Sequence, residues 1–316
     1  MLATLALTAP VYLLIAAGYA AVRFGVFAQA ELRVLGRFVI QLALPALLFK
    51  ALSQSHRPDG PEGLYLLAYA AGSLASLFLV RAWARHGRGQ APASATLSGL
   101  GAAASNSGLI GYPIVAQWLG PTAGLGLALC MLVENMLVIP LGLALADSAS
   151  EKMSWRRALW QAAVNWSRHP MIIAIVLGFG CAMSGLTLPD WIARAVQILA
   201  AAASPVALFV IGGSLLGVRL EGQRQDVAGV ALAKLLLHPA CVLLALWLMP
   251  SVPVPLRPAG VLFAAMPMLS IYPLVAMKHG QEGRSAAILL VATIAAFVTI
   301  SGWMWGLQQL PGWQAG

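Results

Sequence analysis

The sequence predicts an all-α polytopic membrane protein with about ten transmembrane helices, arranged as two inverted five-helix repeats. Its 316 residues are 60% hydrophobic and only 9% charged, too apolar for a soluble core to hide. Apolar runs of about 20 residues, the length that spans a bilayer, recur along the whole chain. Basic residues fall in alternate connections between these runs, and the two halves share a pattern of prolines.

The apolar runs predict ten spans with no stretch left for a separate soluble domain of ordinary size. The first run lacks a preceding basic region, so it is expected to be a retained helix rather than a cleaved signal. Three single cysteines lie within spans, at spacings that suit neither a metal site nor a disulfide framework. The predicted spans are 6–24, 32–53, 62–84, 94–119, 122–146, 169–187, 190–217, 226–249, 257–278 and 284–307.

Basic side chains predict the orientation of these spans. With the N-terminus outside, one set of connections and flanking turns carries 14 of the 19 Lys and Arg residues and the other carries four, Lys234 lying inside a span. Positive loops stay cytoplasmic, so both termini are expected on the periplasmic side of the inner membrane. Because the net charge of +9 is dispersed over short loops, it predicts topology and no nucleic-acid partner.

An internal duplication gives the repeat boundaries. The sequence YPIVA at 112–116 returns as YPLVA at 272–276, 160 positions later, and the pairs Pro45 with Pro205 and Pro10 with Pro170 keep the same shift. An odd number of spans in each unit makes the second copy enter the membrane from the opposite side. The predicted units are a first repeat at 1–146, a cytoplasmic connection at 147–168 and a second repeat at 169–316.

The fourth and ninth spans are predicted to be discontinuous helices that meet near the midplane of the membrane. Small and helix-breaking residues at 104–113 interrupt the fourth span, and Pro267 and Pro273 interrupt the ninth. In hydrocarbon, freed backbone groups must be satisfied by protein or by a watery cavity, and transporters place their substrate sites at such breaks. The alternative is that these prolines merely bend ordinary transmembrane helices.

The breaks supply the candidate substrate-binding residues. Half-helix N-termini near residues 111–113 and 270–273 are expected to hold an anion without a buried arginine. An alternative for the asparagine is a polar contact between helices, and the two tyrosines either reach the substrate or close the crossing. The candidates are Asn106, Ser107, Gly108, Gly111, Tyr112, Pro113, Pro267, Ser270, Tyr272 and Pro273.

Two charged residues lie well inside predicted spans and are candidates for coupling. Glu134, followed by Asn135, lies in the fifth span, and Lys234 lies in the eighth with His238 one turn beyond. Buried charge in a membrane is expensive, so we hypothesise that Glu134 or Lys234 changes its proton or partner during a cycle, or balances the charge of an anion. A structural ion pair or a lysine reaching the cytoplasmic edge is the alternative, and His238 is more typical of helix packing.

These segments carry a resemblance to a known family. The sequence NSGLIGYP at 106–113 resembles the fourth-span signature of auxin efflux carriers, which include bacterial malonate and malate permeases; LPALLF at 44–49 and AMP at 265–267 also fit. The resemblance covers essentially the full chain. It implies a ten-helix fold related to the bile-acid sodium symporters, in which the fourth and ninth helices cross. Spans 1, 2, 6 and 7 would form a scaffold with a homodimer contact, while spans 3–5 and 8–10 would move. The segment 268–271 is less polar than in many relatives, which leaves the substrate open.

The resemblance implies a secondary transporter that moves a small organic anion, such as a carboxylate or dicarboxylate, by elevator-like or rocking alternating access. Membrane lipid is the other expected partner, with no cofactor and with possible coupling to a proton or sodium ion. An enzyme is disfavoured because the chain has neither a zinc-binding His-Glu motif nor a Gly-x-Ser-x-Gly elbow. An anion channel and a non-transporting ligand sensor on the same fold remain alternatives.

Overall fold

The computed structural model describes residues 2–53, 62–148, 170–186, 188–216, 224–310 and 313. Regular structure in these residues is helical, apart from one isolated β-bridge. Of the predicted connection 147–168, only residues 147 and 148 belong to the described part. The helices are α1 (Leu2–Arg23), α2 (Gln29–Ser53), α3 (Glu62–Gly87), α4 (Pro92–Ala103), α5 (Tyr112–Leu119), α6 (Thr122–Asp147), α7 (Pro170–Ser184), α8 (Asp190–Ser214), α9 (Arg224–Trp247), α10 (Leu256–Ala265), α11 (Tyr272–Met277) and α12 (Glu282–Gln309).

Six of these helices, α2, α3, α6, α8, α9 and α12, are long and apolar enough to cross a membrane. Shorter apolar helices occupy the first, sixth and ninth predicted spans, over Ala9–Arg23, Pro170–Ser184 and Leu256–Ala265. The prediction of an all-helical, multi-pass membrane protein is therefore confirmed. The fourth predicted span consists of α4 and α5 with an interruption between them, and the ninth consists of α10 and α11.

Prolines widen the long helices at specific turns. Four π-helical turns, at Val39–Ala43, Ser107–Gly111, Glu134–Val138 and Ala233–Leu237, each end two residues before a proline. A proline has no N–H for the carbonyl four residues earlier, and its ring crowds that carbonyl, which favours a wider turn at this point. The residue before each proline donates its N–H to the carbonyl five residues back instead.

The helices pack in two groups. In one group, α1 packs against α8, and α2 packs against α7 and α8. In the other, α3 packs against α4 and α9, α10 packs against α6 and α9, and α12 packs against α9 and α11. The groups also touch each other, where α2 meets α6 and where α8 meets the π turn that precedes α5.

Two glycines 160 positions apart allow close approaches between helices of the first group. A methyl group at Gly18 of α1 would collide with the carbonyl of Phe209 in α8. A methyl group at Gly178 of α7 would lie 2.8 Å from Cβ of Leu52 in α2. Transmembrane helices associate largely through such close packing at small residues, so equivalent positions of the two halves serve equivalent helix contacts.

Candidate functional site

The two helix interruptions meet and bind each other through their backbones. The N–H of Asn106 donates to the carbonyl of Pro267 at 2.8 Å, and the N–H of Leu269 donates to the carbonyl of Ala104 at 3.3 Å. These bonds form an isolated antiparallel bridge between Ser105 and Met268. Backbone groups freed by the breaks thus find partners in protein, which is the condition for tolerating irregular backbone at membrane depth.

Asn106 fixes the crossing through its side chain as well as its backbone. Its Nδ2 donates to Oγ of Ser270 at 2.6 Å, and its carbonyl accepts the N–H groups of Ile110 and Gly111. Asn106 is buried and Ser270 is half-buried. These two candidate residues therefore join the two interruptions through their side chains.

Glu134 lies directly behind the first interruption. Its Oε1 accepts hydrogen bonds from the hydroxyl of Tyr69 at 2.8 Å, from Oγ of Ser107 at 3.0 Å and from the backbone N–H of Ser105 at 3.3 Å. Glu134 is 3% exposed and is the first residue of the π turn of α6. Three donors to one oxygen compensate for the loss of water around this carboxylate.

Lys234 is fully buried in the π turn of α9, and it contacts the first interruption and the helix end that precedes the second. Its Nζ lies 2.7 Å from each of three acceptors, Oγ of Ser105, Nδ1 of His238 and the carbonyl of Ala264. Ala264 belongs to the last turn of α10, where carbonyls lack helical partners and the helix dipole favours a cation. Because an ammonium only donates, Nδ1 of His238 accepts and Nε2 faces Oγ of Ser73 at 2.9 Å as a donor.

Ser105 connects the two charges. Its hydroxyl accepts from Lys234 while its backbone N–H donates to Glu134. No direct Glu134–Lys234 ion pair within 4 Å is found in the described structure. We call this set of residues the crossing network; it comprises Tyr69, Ser73, Ser105, Ser107, Glu134, Lys234 and His238.

The remaining residues predicted from the first interruption have packing neighbours. A methyl group at Gly108 would contact Leu44 of α2 at 3.4 Å, and one at Gly111 would crowd Phe263 of α10 at 2.9 Å. Pro113 is buried. The N–H groups at the start of α5 bind carbonyls of the preceding turn, including Tyr112 to Ser107. Their donors are therefore engaged inside the protein, which does not favour the expected capture of an anion by this helix end.

The residues predicted from the second interruption also have partners within the protein. The hydroxyl of Tyr272, which is buried, donates to the carbonyl of Leu97 in α4 at 2.9 Å. Pro267 supplies the carbonyl that accepts from Asn106, and Pro273 is half-buried in α11. Asn135 donates to the carbonyl of Met131 in its own helix at 2.8 Å and lies outside the crossing network.

A cavity of about 710 Å³ separates the two helix groups on one side of the crossing. One wall comes from α2 and α8 and the other from α3, α5, α6 and the segment before α10. Of the predicted substrate-binding residues, Tyr112 lines this cavity, and it is half-buried there. The polar residues of the described lining are Lys50, Glu62, Tyr112, Thr122, Gln197 and Ser204.

No role is predicted from the sequence for a row of polar residues on α3, two of which belong to the crossing network. Tyr65, Tyr69, Ser73 and Ser76 recur at helical spacing along one face of α3, a signal that would have found them. Tyr69 and Ser73 bind Glu134 and His238, and the hydroxyl of Tyr65 lies 3.0 Å from Sγ of Cys130. His238, expected to be a packing residue, is instead a hydrogen-bond acceptor for Lys234.

Among the residues that the structure describes, no group of three His, Cys, Asp or Glu side chains could hold a metal ion.

Comparisons with known proteins agree with a transport function. A family model described as "Membrane transport protein" matches residues 4–304. A Rhizobium meliloti (strain 1021) protein named "Putative malonate transporter" is 28% identical over 304 residues, covering 94% of this chain and 93% of the relative. The "Uncharacterized transporter YfdV" of Escherichia coli (strain K12) is 24% identical over 74% of this chain and 76% of its own length.

The family model spans the crossing, the crossing network and every residue that lines the large cavity. It confirms the prediction that the chain is not an enzyme. As the resemblance to auxin efflux carriers predicted, the chain belongs to the membrane transport protein family.

Proposed function

We propose that this protein is a secondary transporter of a small organic anion, a carboxylate or dicarboxylate, that works by elevator-like or rocking alternating access. The cavity between the two helix groups carries the proposal, because it is large enough for a small organic molecule and ends at Tyr112 beside the crossing. A dicarboxylate is favoured by the name of the Rhizobium meliloti relative. The described lining has two charged residues, Lys50 and Glu62, and Lys50 supplies the positive charge for one carboxylate of the substrate.

The architecture proposed for this function is a pair of inverted five-helix repeats. The 160-residue register of prolines supports it, and so do the equivalent close contacts of Gly18 and Gly178. Helices α1, α2, α7 and α8 form the scaffold of the proposal, through which two copies form a homodimer. The other helices form the bundle that moves.

The same proposal gives the protein an outward-facing state. The cavity lies at the end of the protein that carries the connections between spans 2 and 3, 4 and 5, and 8 and 9. The charge pattern places this end, together with both termini, on the periplasmic side of the inner membrane. An anion entering from that side meets Lys50 first and Tyr112 at the bottom of the cavity.

The crossing network is proposed to couple this movement to charge. Glu134 and Lys234 both bind Ser105, so a change of proton or partner at either one alters the first interruption directly. Coupling to a proton, coupling to a sodium ion and a fixed counter-charge for the anion make different predictions. Flux driven by a pH gradient, by a sodium gradient or by neither separates the three.

The experiment for the proposed function is uptake into proteoliposomes of labelled dicarboxylates, monocarboxylates and indole acids. We expect saturable uptake of a carboxylate that is accelerated when unlabelled substrate is present inside the vesicles. A conductance that does not saturate would instead identify a channel. Binding of the same compounds without flux would identify a ligand sensor.

A further inference from the structure

A second, basic groove lies at the opposite end of α3, away from the large cavity. It has a volume of about 470 Å³ and lies between the last turns of α3 and the start of α4. Its cationic groups are Arg81, Arg85 and His86, and none of its described lining residues is an aspartate or glutamate. The described lining residues include none from the crossing network or the large cavity.

The two arginines are held in place by neighbouring polar groups. Nε of Arg81 donates to Oγ1 of Thr96 at 3.1 Å, and that hydroxyl in turn donates to the carbonyl of Pro92 at 2.8 Å. Nη1 of Arg85 donates to the carbonyl of Gln90 at 3.0 Å. Each bond uses one of the five N–H donors of a guanidinium, so the groups are oriented while further donors point elsewhere.

Repulsion between the arginines favours an anion in this groove. Arg81 and Arg85 are one helical turn apart, and like charges at this spacing destabilise a helix. Arg88, three residues after Arg85, does have a carboxylate partner, because its Nε lies 2.7 Å from Oδ1 of Asp226. Asp226 also lies 3.8 Å from Arg284, so this acid serves a different cluster.

The position of the groove along α3 favours one kind of anion. Arg81 lies about 9 Å along the helix axis before its end at Gly87, and Phe78 lies about 13 Å before it. Phe78 lines the deep end of the groove and is 43% exposed. The cationic part of the groove lies near the end of α3, and the exposed aromatic part lies farther from that end. This arrangement matches a phosphate headgroup with an acyl chain extending toward the membrane interior. A soluble anion would use the cationic part of the groove alone.

We propose that the groove formed by Phe78, Arg81, Arg85, His86 and Pro92 binds an anionic phospholipid. Its phosphate lies between the two guanidinium groups and an acyl chain lies along Phe78. The basic residues of this end are those that the charge pattern places in the cytoplasm, so the lipid belongs to the cytoplasmic leaflet, where basic pockets between helices recognise anionic headgroups. This site does not depend on which substrate the protein transports.

Native mass spectrometry of the purified full chain tests the site with two lipids that share their acyl chains. Dioleoylphosphatidylglycerol is added in one series and dioleoylphosphatidylcholine in the other. We expect one phosphatidylglycerol to bind with about ten- to thirtyfold preference, which the double variant Arg81→Gln/Arg85→Gln removes. Arg81→Lys/Arg85→Lys keeps the charges and is expected to retain most of the preference, which separates loss of charge from misfolding.

Arg33→Gln/Arg37→Gln is the matched control. These arginines are also one turn apart, are exposed on α2, and lie at the same predicted membrane face. We expect this variant to bind phosphatidylglycerol like the wild type. Equal loss in both glutamine pairs would show unspecific attraction to a basic surface and overturn the proposal. Competition by soluble glycerol 1-phosphate at concentrations comparable to the lipid would overturn it too, because the ligand would then be a soluble phosphate.

Discussion

The two sides of the crossing differ in how firmly their polar groups are held. On the side of α3 and α9, Glu134 and Lys234 are buried and each has three hydrogen-bond partners. On the cavity side, Lys50 and Tyr112 are half-buried beside about 710 Å³ of open space. This difference is the basis of the proposal that the network side maintains the crossing while the cavity side receives an exchangeable ligand.

The largest effect is expected from Lys234→Met on the network side. Removing one buried charge leaves Glu134 without its nearby cation, and such a change costs about 3–5 kcal/mol of folding free energy. We expect transport to be lost and the thermal unfolding temperature of the purified protein to fall. The double variant Glu134→Gln/Lys234→Met is expected to be more stable than Lys234→Met alone, since no unpaired charge remains.

Transport and its pH dependence in Glu134→Gln and Lys234→Met separate a coupling role from a structural one. If both single variants transported at the wild-type rate with the wild-type pH dependence, the coupling hypothesis would be wrong. If the double variant were stable yet inactive, the charges would serve the cycle rather than the fold.

A smaller effect is expected where the two sides meet. Asn106→Ala removes the bond to Oγ of Ser270, and loss of a buried hydrogen bond costs about 1–3 kcal/mol when a partner is left unsatisfied. Ser270→Ala removes the same bond from the half-buried partner and is expected to cost less. Unfolding temperature and flux measured on both variants check this order, and a harmless Asn106→Ala would contradict the role given to the crossing.

On the cavity side, Lys50→Gln is expected to raise KM about fivefold while leaving the unfolding temperature unchanged. A half-exposed charge contributes about 1 kcal/mol to such an interaction. Arg194→Gln is the matched control, because Arg194 is exposed on α8 and is not among the described cavity residues. A similar rise of KM in both variants would point to general surface charge rather than to the cavity.

The smallest expected effects distinguish the two equivalent tyrosines. Tyr272→Phe removes a bond to the carbonyl of Leu97 and is expected to lower stability by about 1 kcal/mol, with KM unchanged. Tyr112→Phe is expected to change KM and to leave the unfolding temperature alone. The opposite pattern would reverse the assignment of Tyr112 to substrate and Tyr272 to the fold.

The sequence predicted the backbone of this site better than its chemistry. Matched prolines identified both interruptions, because a proline changes helix hydrogen bonding wherever it stands. The duplication was less informative about polar groups. The positions 160 residues from Asn106 and Glu134 are Met266 and Ile294, so neither side chain has a polar counterpart in the other half.

The contacts of the network depend on packing that no local pattern specifies. Lys234 reaches Ser105 because α9 packs against α4 and α10. The contact of Lys234 with His238 is the exception, since the two residues are four apart on one helix. The engaged N–H groups before Tyr112 were also unforeseen, since they follow from the wide turn that Pro113 imposes.

In the proposed transport cycle, the two helix groups move relative to each other around the cavity. Cross-linking across the cavity tests it, using Thr122→Cys in α6 with Ser204→Cys in α8, after the three native cysteines are replaced by alanine. The control places both cysteines on α8, as Gln197→Cys with Ser204→Cys, about 10 Å apart along one helix. Both pairs put the same reagent into the cavity, but only the first joins the two groups.

Counterflow in proteoliposomes is measured before cross-linking, after treatment with a cleavable bifunctional thiol reagent, and after reduction. We predict that cross-linking the Thr122–Ser204 pair stops counterflow, that reduction restores it, and that the Gln197–Ser204 pair transports throughout. Undiminished counterflow through the cross-linked Thr122–Ser204 protein would contradict the movement of one helix group against the other.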